Sequence, residues 1–224
     1  MATIYLTFDD GPLAGTDDVI AVLQAKRAKG TLFMVGDHVM PGFRGDLLTA
    51  AHAGPYTSVA NHSSTHGNRR YSEYYRNPTT VVAGFRRTTE TLGISERPVR
   101  ARLPGRNTWR VGNIVATDPT NGGDSGPAAN GLAGDGYRVY GWDLEWPMER
   151  GRPAASADQI AARVRTSLSA GRTKKPGHLV LLAHDIMFRA SNQDRQKLER
   201  LIDLLRGDGH DFAFISGFDG AAAG

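Results

Sequence analysis

The chain has 224 residues, 40% of them hydrophobic, enough to bury one substantial core, and a single domain over 1–224 is expected. It contains no cysteine, which excludes disulfides, thiolate metal sites and cysteine nucleophiles. Its net charge of +4 comes from 27 basic residues dispersed among 23 acidic ones, which argues for a mildly basic solvated surface. The densest basic groups are the pairs Arg69-Arg70, Arg86-Arg87 and Lys174-Lys175, with no zinc-finger spacing or Gly-aromatic motif beside them, so no nucleic-acid partner is expected. No apolar run approaches membrane-spanning length, and no charged-then-apolar leader precedes the first strand. The expectation is a monomer without a membrane span, either cytoplasmic or secreted with its leader removed.

In chain order, the apolar run 3–8 predicts a buried strand that Gly11-Pro12 ends at once. A helix over 16–29 and a strand over 31–35 follow, then a helix over 43–52 and a strand over 57–60. Asn77 before Pro78 is a start signal for a helix over 78–92, and a strand over 99–103 comes next. The stretch 109–117 reads as a helix, and 118–136, rich in Gly, Asn, Asp and Ala, as a loop or short interrupted helix. A strand over 137–142, a helix over 156–170 opened by Ser156, and a strand over 178–183 complete the alternation. The last helix, 191–206, carries Leu198, Leu201, Ile202 and Leu205 on one face, and a final strand covers 211–215. This order predicts βα units on a parallel sheet, and seven strands suit a distorted (β/α)7-type barrel better than an open sheet.

Polar residues gather just past the C-terminal ends of the predicted strands. Asp9 and Asp10 follow the first and His62 and His66 the third. Arg102 closes the fourth, Trp142 and Asp143 the fifth, and His184 and Asp185 the sixth. In parallel barrels that rim is where active sites assemble. Adjacent carboxylates on a strand end repel each other unless a cation or proton intervenes. His62 and His66 are four apart, a spacing that on a helix puts both imidazoles on one face. With Asp10 they make a two-histidine, one-carboxylate set that leaves positions open for water and substrate. Zinc is the expected ion, and ferrous iron, cobalt or nickel would accept the same donors. His184, ending an apolar strand beside this group, has the chemistry of an acid or base.

Five segments in order carry a resemblance: Thr7-Phe8-Asp9-Asp10-Gly11-Pro12, His62-x-x-x-His66, Arg102-x-Pro104, Trp142-Asp143 with Trp146, and Leu181-x-x-His184. Together they resemble the NodB-homology polysaccharide deacetylases, carbohydrate esterase family 4, from about residue 3 to residue 216. The resemblance implies a NodB-homology fold and a metal-dependent hydrolase that removes acetyl groups from N-acetylglucosamine units of chitin oligomers or peptidoglycan. It further implies Asp10, His62 and His66 as metal ligands, Asp9 as general base, Arg102 as its orienting partner, and His184 as general acid. Asp143 would partner His184, although Glu145 in the compressed fourth motif competes for that role. Leu181 with Trp142 or Trp146 would line a slot for the acetyl methyl.

The third motif departs from the family pattern, because Gly105 stands where relatives carry an aromatic ring, with Arg106 next to it. The Gly105 N–H could still meet an oxyanion, but the missing ring predicts a groove open on one side. Alternative functions are an O-acetyl esterase on xylan, a small-amide deacetylase, or a catalytically silent carbohydrate-binding domain. The last has no need of a ligand triad together with Asp9 and His184.

Overall fold

The computed structural model describes residues 1–118 and 123–219. In chain order its strands are β1 (Thr3–Asp9), β2 (Gly30–Met34), β3 (Thr57–Asn61), β4 (Val99–Ala101), β5 (Trp109–Val111), β6 (Ile114–Ala116), β7 (Tyr137–Val139), β8 (Leu144–Glu145), β9 (Met148–Glu149), β10 (Arg152–Pro153), β11 (His178–His184) and β12 (Asp211–Phe212). The helices are α1 (Thr16–Lys26), α2 (Phe43–Ala53), α3 (Tyr71–Tyr74), α4 (Pro78–Thr91), α5 (Gly126–Gly134), α6 (Ala157–Ser169) and α7 (Arg195–Gly207).

β1 lies at the centre, parallel to β2 on one side and β11 on the other, with β12 alongside its first residues. β3 and then β4 extend the sheet beyond β2, all parallel. The segment 137–146 bends the sheet toward closure. Its first part, β7, pairs with β4, and Tyr140 still donates to Ala101 O. Asp143 N then donates to Val180 O and Trp146 N to Leu182 O, so the same segment continues as β8 along β11. The result is a curled, incomplete barrel of parallel strands, the expected (β/α)7-type architecture.

Strand alternation sorts the apolar residues. Ile4, Leu6 and Phe8 on β1, with Leu179, Leu181 and Ala183 on β11, join one cluster with Val19, Leu23, Ile160, Val164, Leu198 and Leu201 of the helices. Tyr5 and Val180, on the opposite parity, fill the inside with Phe33, Trp109, Tyr140 and Phe218. α7 buries Leu198, Leu201, Ile202 and Leu205, each burial stabilising by roughly 1.5–3 kcal/mol. The expected starts form as capped ends. Asn77 accepts from Thr80 N at 3.1 Å with Pro78 in the first turn, and Ser156 and Gln159 exchange a capping box.

Two expectations are corrected, and the open reading of 118–136 resolves to its short-helix alternative. The stretch 109–117 is not a helix but the antiparallel hairpin β5–β6, turning at Gly112 with φ +53. Its Trp109 and Val111 are buried on the pleated surface with Ile114 packed beside them, and Gly-Asn between the strands is a hairpin turn. The segment 118–136 contains α5, whose Ala128, Ala129 and Leu132 are buried, while 119–122 lie outside the described residues. The strand expected over 211–215 stops at Phe212, and a 3₁₀ turn spans Ile215–Asp219. Among the described residues no helix is long and apolar enough to cross a membrane.

Candidate active site

β1 and β11 run in register, so Asp9 faces His184 across adjacent strands, both aimed at the C-terminal rim. Asp9 is 3% exposed, and Arg102, just past β4, is fully buried. The guanidinium is spent on four acceptors. Nη1 donates to Asp9 Oδ1 and to Thr7 Oγ1, each at 2.8 Å, Nη2 to Gly141 O at 2.9 Å, and Nε to Tyr140 O at 3.2 Å. It also lies 4.2 Å from the Phe33 ring centroid. Asp9 therefore cannot swing away from the rim without stranding a buried cation.

Asp10 sits at φ +80, a left-handed conformation that Asp tolerates better than most residues, and its carboxylate meets two imidazoles, one of which, His62, also lies 3.5 Å from Asp9 Oδ2. His66 Nε2 is 3.0 Å and His62 Nε2 3.5 Å from Asp10 Oδ1. His62 and His66 are not on a helix, as their spacing had allowed. His62 follows β3, and the chain turns through Ser63 at φ +71 to His66 at φ +52. Asn61 Oδ1 accepts from Ser63 N at 2.9 Å and Ser63 Oγ from His66 N at 3.1 Å, which shapes that turn. The ring centroids end 5.0 Å apart.

The donor set fits a divalent cation. One ligand atom from each of Asp10, His62 and His66 lies within 4.8 Å of the others. Asp10 Oδ1 is buried and accepts no hydrogen bond. His62 Nδ1 is 2.9 Å from Arg102 O, which can only accept, so the hydrogen is on Nδ1 and the Nε2 lone pair faces Asp10 in the neutral ring. Burial would raise the Asp10 pKa, but the neighbouring imidazoles outweigh it and hold the carboxyl well below the usual range. Burial would likewise depress His62, and the Asp9 and Asp10 carboxylates outweigh it and raise its pKa. The cluster calls for positive charge between the carboxylates and the imidazoles.

His184 is half-buried, and its Nδ1 is buried without a hydrogen-bond partner. Asp143 does not supply one. Its Oδ1 accepts from Lys174 N at 2.7 Å and its Oδ2 from Val180 N at 2.8 Å, so it fastens the start of β11. Among the described residues no hydrogen bond or ion pair joins it to His184. The competing Glu145 is exposed on β8.

Two slot residues are also corrected. Leu181 has the parity of Leu6 and packs against the helices, because alternation sends it away from His184. Leu182, opposite Thr7, shares the face of Asp9 and His184 and is 3% exposed. Trp146 is buried in the helix-side core against Phe188, with Nε1 donating to Ala155 O. Trp142 remains at the rim, its ring 5.9 Å from the Arg102 guanidinium.

Gly105 is exposed at φ +62, but the space beside it is not open. A Cβ there would lie 2.8 Å from the Tyr71 ring, so an aromatic ring from α3 already lines that side. A further groove of about 480 Å³ runs past Asp10 and His66 between Leu13, His38, Met148 and Ile186. His38 Nδ1 lies 2.7 Å from Asp10 O and steadies the turn that carries the carboxylate.

Sequence reading missed Leu182, Tyr71, His38 and Asn107. Two-residue alternation back from His184 would have found Leu182. Asn107, whose amide brackets Trp142 through its N–H at 3.0 Å and its carbonyl at 2.9 Å, carried no local signal.

The sequence profile described as "Polysaccharide deacetylase" matches residues 1–100, which include Asp9, Asp10, His62 and His66. The chain is 28% identical over 221 residues to the chitin disaccharide deacetylase of Vibrio alginolyticus, covering 70% of this chain and 50% of that protein. It is 28% identical over 194 residues to the peptidoglycan-N-acetylglucosamine deacetylase of Bacillus cereus, covering 81% and 59%. The chain thus spans about half the length of these curated relatives. The fold is that of a family 4 carbohydrate esterase from Streptomyces lividans solved with acetate, with a TM-score of 0.68 at 22% identity over 98% of this chain and 95% of that one. With five motifs in order, a profile match over residues 1–100 and a matching fold, the chain is similar to the NodB-homology polysaccharide deacetylases of carbohydrate esterase family 4.

Proposed function

We propose that this protein is a metal-dependent deacetylase that hydrolyses N-acetyl groups of N-acetylglucosamine-containing glycans. The observation that carries this reading is the convergence of Asp10, His62 and His66 within 4.8 Å, beside the Asp9–Arg102 pair and the facing His184. Asp10, His62 and His66 would hold the ion, zinc in the first instance. When bound, a divalent ion supplies Lewis-acid activation of water and of the acetyl carbonyl. Asp9, fixed by Arg102, takes the proton from the attacking water. His184, on the opposite strand, returns a proton to the departing sugar nitrogen, and Leu182 offers the apolar contact for the acetyl methyl. The Gly105 N–H would supply a donor to the developing oxyanion.

Both relatives named above act on N-acetylated glycans according to their names. Between chitin oligomers and peptidoglycan, the arginines Arg69, Arg70 and Arg76 around a pocket beside the groove favour the acid-bearing polymer. The test is acetate release from chitooligosaccharides, peptidoglycan fragments and acetylxylan, with and without chelator, for the wild type and Asp9→Asn. Chelator-sensitive release from the N-acetylated substrates is expected. Asp9→Asn should lose on the order of a hundredfold in turnover while keeping its ion. Release that survives chelation, or release from acetylxylan alone, would reject this assignment.

A further inference from the structure

We propose that Tyr71 is a positioning residue that orients His66 for the ion and forms the aromatic wall of the groove beside Gly105. This assignment rests on the metal-dependent reading above. The two imidazoles of the cluster are held in different ways. His62 follows a strand, and its Nδ1 faces the Arg102 carbonyl at 2.9 Å, an acceptor the fold cannot remove. His66 belongs to a run of left-handed residues, with Ser63, His66, Gly67, Asn68 and Arg69 all at positive φ. No strand ladder fixes the direction of its ring. The contact its Nδ1 makes is with the Tyr71 hydroxyl at 3.3 Å, and the Tyr71 ring meets the imidazole edge to face, centroids 5.7 Å apart and planes at 74°.

A tyrosine hydroxyl can donate or accept. When His66 Nε2 is given to a cation, its Nδ1 carries the hydrogen and the Tyr71 oxygen accepts it, the outer partner that metal-bound histidines ordinarily have. Tyr71 is itself braced. The Arg106 guanidinium, on a residue 4% exposed, lies 5.4 Å over its ring and 5.0 Å over that of Tyr75. The other edge of the Tyr71 ring occupies the space a side chain at 105 would need, with Cε2 at 2.8 Å from a Cβ there. Gly105 and Tyr71 are therefore matched: the glycine makes room for a ring that reaches the metal ligand, which a ring on residue 105 would displace.

The experiment is chelator-competition measurement of Zn²⁺ and Co²⁺ affinity for the wild type, Tyr71→Phe and Tyr71→Leu, with the Co²⁺ absorption spectrum of each. Circular dichroism melts of the ion-free proteins report folding. Tyr71→Phe should weaken ion binding about 10- to 100-fold and alter the Co²⁺ spectrum, with an unchanged melt. At saturating ion, Tyr71→Leu should in addition raise KM for N-acetylglucosamine oligomers above that of Tyr71→Phe, because the wall is gone. Wild-type ion affinity and spectrum in Tyr71→Phe would overturn the positioning role, and an equal KM in the two variants would overturn the wall. A wild type that binds no ion would overturn this assignment together with the metal-dependent reading. A wild type that binds the ion but releases no acetate would reject only the proposed activity.

Discussion

Replacing Arg102 with methionine is the sharpest probe of how the rim is held together. The side chain is fully buried, its partner Asp9 is 3% exposed, and their atoms are 2.8 Å apart. At an effective dielectric constant of about 20 the gross attraction at that distance is about 6 kcal/mol, partly offset by the desolvation of both ions. Arg102→Met removes the cation and leaves Asp9 Oδ1, Thr7 Oγ1, Tyr140 O and Gly141 O without their donor. Breaking one side of a buried pair costs about 3–5 kcal/mol. For a domain of this size that lowers Tm by roughly 6–20 °C. The assay is urea and thermal unfolding of the wild type, Arg102→Met, Asp9→Asn and the double variant. Because most of the loss comes from an unpaired charge, the double variant should recover about 2 kcal/mol relative to the sum of the singles. A loss below about 1 kcal/mol in Arg102→Met, or strict additivity in the cycle, would refute the claim that the pair is energetically coupled.

Two further outcomes follow from the buried carboxylates. Asp143→Asn removes acceptor capacity from the N–H groups of Lys174 and Val180, so it should cost about 1–3 kcal/mol in stability. It should also leave the pH–rate profile in place, and a displaced limb that reports His184 would restore Asp143 as its partner. Asp185 is fully buried, one oxygen accepting from the Thr16 hydroxyl and the other without a partner, and burial, aided by the Asp10 and Asp9 charges, pushes its pKa up to about 8. The folded chain thus keeps a proton that the unfolded chain releases near pH 4. The stability this proton confers is full below that pH and is lost progressively up to about pH 8, at most about 1.4 kcal/mol per pH unit. Asp185→Asn should flatten that slope in urea midpoints measured across the window. An unchanged slope would assign the pH dependence elsewhere.

Much of the molecule was legible in one dimension. The strand 3–8 and its Gly-Pro stop, the caps at Asn77 and Ser156, and the apolar face of the last helix are local signals, because each depends on near neighbours along the chain. The rim residues Asp9, Asp10, His62, His66, Arg102 and His184 could be picked out because parallel strands all deliver their ends to one side. What the sequence left open depended on facing and distance. Leu181 and Leu182 are equally apolar, and only the pairing of β1 with β11 shows which one stands beneath His184. Asp143 follows the fifth predicted strand as the motif asks, yet the switch of that segment from β4 to β11 turns its carboxylate onto backbone N–H groups. The glycine at 105 reads as a missing wall until a tyrosine 34 positions earlier is brought against it. Composition and periodicity determine which residues can serve an acid, a base or a ligand. Which of them meet is decided by long-range packing, since contacts between segments far apart in the chain leave no periodic trace in either segment.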